Sequence, residues 1–192
     1  MLAPRSPMVT VPPMNEDNQP DEVMWQGRFI TARKKGKWEY VSRARGIRAA
    51  VILAIDEDDH VILVEQFRVP LNKTCIELPA GLIGDGDDNT DEEASVAGAR
   101  ELEEETGYHA GRMETIGEFW SSPGMVSESF TMLKAHDLTK VSEGGGTPGE
   151  NITVHRVPLG ELDAALAGWR KQGYAIDVKL LMLLGPGILA RP

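Results

Sequence analysis

Cysteine is nearly absent from this chain, since Cys75 is the single cysteine among 192 residues. One thiol cannot form an intrachain disulfide, so we expect a reducing, cytoplasmic compartment. Long apolar runs are lacking too. The longest run, Ala49–Ile55, and the run Leu180–Leu184 are both far too short to cross a bilayer, and we expect no membrane partner.

Positive charge is also in deficit, because 20 Lys and Arg face 30 Asp and Glu for a formal net charge of −10. This balance argues against a general nucleic-acid binder, which would carry a basic stripe. The acid is concentrated between residues 85 and 105, while residues 28–68 are locally basic. An acidic site beside basic side chains suits a metal–phosphate substrate, although scattered Lys and Arg also simply keep strands soluble.

Alternating β-branched and apolar residues predict most of the secondary structure. The runs Ile47–Ile55 and His60–Phe67 flank an acidic turn and predict strand–turn–strand, and Met24–Val41 predicts a hairpin. Helices are predicted over Leu159–Leu166 and about Ile176–Leu184. Intermixed strands and helices indicate an α+β or α/β sandwich with a mixed sheet. Residues 1–20 lack the apolar segment of a signal peptide and predict a flexible tail.

The most acidic stretch predicts one amphipathic helix. Thr90 and Glu93 have the spacing of a capping box, and Gly107 predicts the C-terminal stop. Between them, apolar residues at three-residue spacing predict the inward face of this helix: Val96, Ala99 and Leu102.

Three carboxylates share one face of this helix, because Glu101, Glu104 and Glu105 stand at i, i+3 and i+4. Arg100 can pair with Glu104 but cannot neutralise all three. A hard divalent cation such as Mg²⁺ prefers oxygen ligands and bridges carboxylates to phosphate. Most charge runs are solvated faces, so the charge alone does not decide between a metal site and a solvated helix.

The full spacing from Gly86 to Tyr108 resembles the Nudix box, glycine-x5-Glu-x7-Arg-Glu-apolar-x-Glu-Glu-x-Gly-apolar, at every fixed position. This family hydrolyses a nucleoside diphosphate linked to another moiety with Mg²⁺ or Mn²⁺. In relatives with a Pro-Ala-Gly lead-in the box glycine belongs to that lead-in, which here is Gly81. Whether Gly81 or Gly86 corresponds to the box glycine stays open, as does the number of bound metals.

Four further stretches are similar to the ADP-ribose pyrophosphatase and nucleoside-diphosphate-sugar branch. They are Glu65–Arg68, Glu77–Gly81, Ser122–Gly124 with Glu128, and Glu150–Ile152 followed by Ile176–Lys179. The resemblance implies a Nudix α/β/α sandwich over residues 46–190 and an N-terminal β-hairpin extension over residues 21–45. In relatives such an extension often reaches a second subunit, so a homodimer is expected.

The resemblance implies roles for the residues around the box helix. The Ala80 carbonyl, Glu101 and Glu105 are the expected metal ligands, and Glu104 is either a ligand or orients the attacking water. Arg100 is expected to steer the glutamates through salt bridges. Glu92 either reaches an outer metal or favours the helix N-terminus.

A general base is expected from another part of the chain, since metal-bound carboxylates accept protons poorly. Relatives supply it from a loop before the strand that begins at Ile152, which favours Glu150, with Glu128 and Glu143 behind it. The expected substrate-binding residues are Arg68, Arg45, Arg48, Gly81 and Pro123, of which Arg68 suits bidentate phosphate contacts.

The preferred hypothesis is metal-dependent hydrolysis of ADP-ribose to AMP and ribose 5-phosphate. One alternative is another nucleotide sugar such as GDP-mannose, for which the same metal helix would serve. An alternative of a different class is a Nudix module that binds a nucleotide without cleaving it, although such modules typically lose box glutamates. The base-reading residues are not identified.

Overall fold

The computed structural model describes residues 19–44, 47–84 and 92–184. Nearly all of the predicted tail, together with Arg45, Gly86 and Thr90, lies outside the described residues. The two α-helices of the described part are α1 (Ala94–Thr106) and α2 (Leu162–Lys171), and 3-10 helices span Val69–Leu71, Leu159–Glu161 and Val178–Leu184. Its strands are β1 (Asp21–Gln26), β2 (Ile30–Lys35), β3 (Trp38–Arg43), β4 (Arg48–Ala54), β5 (His60–Arg68), β6 (Lys73–Glu77), β7 (Ala80–Ile83), β8 (Tyr108–Trp120), β9 (Ser129–Lys140), β10 (Thr153–Pro158) and β11 (Ala175–Ile176).

Two four-stranded mixed sheets form the body of the protein, in the orders β7-β4-β9-β8 and β10-β5-β6-β11. The β4–β9 and β6–β11 pairs are parallel, and the other pairs are antiparallel. The predicted α+β fold with a mixed sheet is therefore confirmed.

Strand β4 lies at the centre of the sandwich and is buried on both faces, which explains its nearly continuous apolar sequence. Val51 and Leu53 join the main core with residues of β5, α2 and the last 3-10 helix. Their neighbours Ala50 and Ile52 point the other way, toward α1. This alternation places α1 on one side of the sheets and α2 on the other, as the α/β/α prediction requires.

The N-terminal extension is a three-stranded antiparallel sheet, β1-β2-β3, and therefore has one strand more than the predicted hairpin. It joins the body through β3, where the Val41 N–H donates to the Met125 carbonyl at 3.0 Å. The Ser127 N–H donates back to the Val41 carbonyl at 3.0 Å. Large apolar side chains remain exposed on this sheet and its turns, including Trp25, Phe29 and Trp38.

Of the three residues predicted for the inward face of α1 only Leu102 is buried, because Ala99 is half-buried and Val96 is 59% exposed. The buried positions of the helix are Ala97, Gly98, Leu102, Glu105 and Thr106. Small residues are needed there, since a Cβ on Gly98 would lie 2.3 Å from Leu133 Cδ1. Close packing on β9 thus rotates the helix away from its most apolar stripe.

The ends of the helices also differ from the predictions. Glu93 is the N-cap of α1 and makes no capping hydrogen bond with its side chain, whereas Gly107 ends the helix at φ 74° as predicted. The predicted helix at Leu159 begins as a 3-10 turn and continues as α2 to Lys171. The predicted last helix is a 3-10 helix. It begins at Val178 and not at Ile176, because Ile176 pairs with β6 as part of β11.

Candidate active site

The last turns of α1 bring two carboxylates against strand β7. Glu105 is 6% exposed, and its Oε2 accepts the Ala80 N–H at 3.0 Å. Glu101 packs on Gly81, where a Cβ would lie 2.0 Å from both Cγ and Cδ of the glutamate. Position 81 therefore requires glycine so that the Glu101 carboxylate can approach the main chain. This geometry assigns Gly81 a role, while Gly86 lies outside the described residues.

The pKa of Glu105 is raised to about 8, first by burial and then by the charges of Glu101 and Glu150. The Ala80 N–H and Arg68 oppose this rise. A buried carboxylate that is repelled by its neighbours is the kind of group that a bound cation stabilises. These residues and the adjacent main chain therefore fit a hard divalent metal in their chemistry. Within the described part of the chain, however, no three His, Cys, Asp or Glu side chains are arranged to hold a metal ion.

Arg100 lies among the acids of the box. Its Nη1 is 2.9 Å from Glu101 Oε1 and 3.4 Å from Glu104 Oε2, and its Nε is 3.9 Å from Glu92 Oε1. Glu104 is exposed and does not line the cleft that receives Glu101 and Glu105. Arg100 does not line the cleft either, and it contacts the Glu101 carboxylate from outside the cleft.

The active-site cleft has a volume of about 430 Å³ and gathers residues from distant parts of the chain. Its acidic side chains are Glu77, Glu101, Glu105, Glu128 and Glu150, and its basic side chains are Arg43, Arg68 and Lys179. A second cavity of about 450 Å³ is lined by the β4–β5 turn and β9, and contains none of the predicted site residues. The first cleft is therefore the candidate active site.

Each basic group of the cleft is held by one carboxylate. Arg68 donates to both oxygens of Glu77, from Nε at 2.6 Å and from Nη2 at 2.9 Å, and this bonding raises the pKa of Arg68. Glu77 is 5% exposed, so the pair has almost no solvent on the acidic side. Arg43 Nε donates to Glu128 Oε1 at 2.5 Å. The cleft is thus lined with paired, pre-positioned cations.

The glycine-rich loop after β9 is tied to the C-terminus of α1. The Gly145 N–H donates to the Glu105 carbonyl at 2.8 Å, and the Gly146 N–H donates to the Glu104 carbonyl at 3.0 Å. Gly144 has φ 68°, and a Cβ there would lie 2.4 Å from the carbonyl carbon of Thr106, so only glycine permits this contact. These bonds satisfy carbonyls that a helix end leaves free.

The same loop carries Glu150 to the cleft, where its Oε2 accepts the Thr147 N–H at 2.6 Å. Glu143 points away, since its side chain is 95% exposed and pairs with Lys140. Glu128 reaches the cleft but is held by Arg43.

The structure does not bring all predicted substrate residues to the cleft. Arg48 is exposed and donates from Nη2 to the Glu92 carbonyl at 3.2 Å, and Pro123 lies in an exposed turn outside the lining. Arg45 lies outside the described residues. The sequence analysis assigned no role to Arg43 or Lys179. Lys179 nevertheless belongs to Ile176–Lys179, one of the stretches similar to the ADP-ribose pyrophosphatase branch, and that similarity could have pointed to it.

Comparison with known proteins identifies the class. A model of the NUDIX domain matches residues 45–177, and the chain belongs to the NUDIX domain family. A GDP-mannose pyrophosphatase of Cronobacter sakazakii is 36% identical over 148 residues, covering 73% of this chain and 72% of that protein. The ADP-ribose pyrophosphatase of Bacillus subtilis is 39% identical over 95 residues, covering 50% of this chain and 49% of that protein.

A solved structure described as an ADP compounds hydrolase has the same fold. It superposes with a TM-score of 0.61 at 24% identity, covering 77% of this chain and 80% of that one. The family match and the similarity to known pyrophosphatases, together with the shared fold, identify the chain as a Nudix pyrophosphohydrolase. No helix in residues 19–44, 47–84 and 92–184 is both long and apolar enough to span a membrane.

Proposed function

We propose that this protein hydrolyses the pyrophosphate bond of ADP-ribose, or of a related nucleoside diphosphate sugar, with Mg²⁺ as its cofactor and Mn²⁺ as a substitute. The observation that carries the proposal is one cleft that joins the box carboxylates Glu101 and Glu105 to Glu150 and to three paired cations. Diphosphate cleavage requires neutralised phosphate oxygens and a positioned water, and these side chains suit both tasks.

The proposed metal ligands are Glu101, Glu105 and the Ala80 carbonyl. A bound divalent metal supplies charge neutralisation at the phosphate and lowers the pKa of a bound water. Arg100 restrains Glu101 through its 2.9 Å contact and so positions the carboxylate without touching substrate. Glu104 is exposed and outside the cleft lining, which favours a role in positioning through Arg100 or an outer water over direct binding.

Glu150 is the proposed general base. Among the described residues no Arg or Lys pairs with its carboxylate, and its loop is anchored to the proposed metal-binding helix. The Thr147 N–H orients its carboxylate and leaves the second oxygen for a water. Glu128 is less suited, because its carboxylate already accepts the Arg43 guanidinium at 2.5 Å.

The substrate assignment rests on relatives and on the basic groups of the cleft. Similar proteins carry the names ADP-ribose pyrophosphatase and GDP-mannose pyrophosphatase, so GDP-mannose is the second candidate. Arg68, fixed by Glu77, presents its remaining N–H groups to a phosphate or to the terminal ribose. Gly81 permits close approach of the main chain, and Pro123 is proposed to shape the turn between β8 and β9, whose Ser121 and Glu128 line the cleft.

We also propose a homodimer in the cytoplasm. The N-terminal sheet exposes Trp25, Phe29 and Trp38, and such patches commonly mark protein contacts. A single buried cysteine suits a reducing compartment. Light scattering of the purified protein measures the mass, and a monomer at micromolar concentration contradicts the dimer.

The deciding experiment incubates the protein with Mg²⁺ and a panel of nucleoside diphosphate derivatives and identifies the products. ADP-ribose is expected to yield AMP and ribose 5-phosphate, with a higher kcat/KM than GDP-mannose. A matched reaction of Glu101→Gln is expected to be inactive. Binding of these compounds by the wild type without turnover of any of them would instead support a non-hydrolytic nucleotide-binding module.

A further inference from the structure

Lys179 enters the active-site cleft from the C-terminal end of the described chain. The Asp177 N–H extends the β11–β6 pairing by donating to the Ile76 carbonyl at 3.0 Å. The chain then turns into the 3-10 helix Val178–Leu184, in which Leu180 is buried in the main core. This anchored turn fixes the start of the lysine side chain, which lines the cleft.

Asp177 holds Lys179 at two points. Its Oδ1 accepts the lysine main-chain N–H at 2.7 Å, and its Oδ2 accepts Nζ at 2.5 Å. Nζ also lies 5.8 Å from the centroid of the Phe130 ring, whose side chain lines the same cleft. An ammonium has three N–H donors. One carboxylate oxygen takes one of them, so donors remain for an anion in the cleft.

A purely structural pair would explain the same contacts, and Lys140 shows what such a pair looks like in this protein. Its Nζ is 3.2 Å from Glu143 Oε2 and 5.8 Å from the centroid of Tyr108. Lys140 is 44% exposed and does not line the cleft, whereas Lys179 is 18% exposed. Removing an ammonium from water is costly, and a partly buried ion pair adds little net stability. Stability alone therefore gives little reason for a lysine at position 179.

We propose that Lys179 binds a phosphate oxygen of the substrate diphosphate, and that Asp177 positions its ammonium for this contact. This inference rests on the proposed function, since it names a specificity residue of the same site. Arg43 and Arg68 supply the other cations, but Arg68 already spends two of its donors on Glu77. Lys179 is thus a point charge that completes the basic lining of the cleft.

The test compares wild type, Lys179→Gln, Lys179→Arg and the matched control Lys140→Gln. Two readouts are measured: KM and kcat for ADP-ribose with Mg²⁺, and the Kd of ADP by calorimetry in the same buffer. Loss of one charge-assisted hydrogen bond is expected to raise both KM and Kd about ten- to a hundredfold in Lys179→Gln. Lys179→Arg is expected to recover most of this loss, and Lys140→Gln to match the wild type.

Wild-type KM and Kd in Lys179→Gln overturn the inference. So does an equal loss in Lys179→Gln and Lys179→Arg accompanied by a lower melting temperature, because that result assigns the lysine to folding alone. If the wild type hydrolyses no nucleotide sugar, the proposed function fails, and the Kd of ADP alone then tests whether Lys179 binds a phosphate. Weaker ADP binding by Lys179→Gln then sustains the anion site, and unchanged or absent ADP binding refutes it.

Discussion

Replacing Glu105 by glutamine is expected to stabilise the metal-free protein while abolishing its activity. The folded protein keeps the Glu105 proton up to about pH 8, whereas an unfolded chain loses it near the ordinary pKa of 4.5. The folded state therefore binds more protons, so its stability falls as the pH rises from 4.5 to about 8. Glutamine has no proton to lose and keeps an oxygen for the Ala80 N–H.

The size of the effect follows from the two pKa values. At 1.36 kcal/mol for each pKa unit, ionisation of Glu105 lowers the free energy of unfolding of the wild type by about 3 kcal/mol at pH 7 and by about 5 kcal/mol well above pH 8. Glu105→Gln avoids this loss. For a chain of this length, about 3 kcal/mol corresponds to a rise in melting temperature of about 6–12 °C. Below pH 4.5 the glutamine variant should have no advantage from this source.

The assay is thermal unfolding in EDTA at about pH 4, 7 and 8.5, which brackets the titration. Glu103→Gln is the matched control, because Glu103 is on the same helix but exposed, and its melting temperature should change little. Added Mg²⁺ should raise the melting temperature of the wild type but not of Glu105→Gln, since only the wild type keeps the full ligand set. An equal difference between wild type and Glu105→Gln at all three pH values refutes the reasoning, as does a less stable variant in EDTA at high pH.

Three other predictions concern groups whose positions the structure explains. Gly81→Ala should reduce Mg²⁺ affinity and kcat, because its Cβ would displace the Glu101 carboxylate; calorimetry and initial rates measure both. Glu150→Gln should lower kcat by about two orders of magnitude or more while sparing metal affinity, as expected of a general base. Gly144→Ala should lower the melting temperature, because φ 68° and the 2.4 Å approach to Thr106 both exclude a side chain.

Controls for these variants are available in the same chain. A Cβ on Gly160 meets nothing within 4 Å, so Gly160→Ala should retain wild-type stability and metal affinity. Glu143→Gln removes a loop carboxylate that is 95% exposed and outside the cleft, so its kcat should equal that of the wild type. A near-wild-type rate for Glu150→Gln would remove that residue from the mechanism. Unchanged metal affinity in Gly81→Ala would contradict the assigned role of this glycine.

The sequence by itself determined the elements whose signals are local. Box spacing placed Glu101 and Glu105 on one helix face, and Gly107 ended that helix because an αL residue is needed there. The β-branched runs on either side of the acidic turn became β4 and β5 because their signal is local as well. These signals extend over a few turns or a single strand, so no distant residue is needed to interpret them.

Only the tertiary structure decided which face of α1 is buried and which groups meet in the cleft. Val96 is exposed because β9 accepts small residues at Gly98, a fact of packing that helical periodicity does not contain. Arg43 and Lys179 stand more than a hundred residues apart along the chain and line one cleft because β3 and the turn after β11 end beside it. The box spacing thus determined which helix face carries the proposed metal ligands, and long-range packing decided which cations line the cleft beside them.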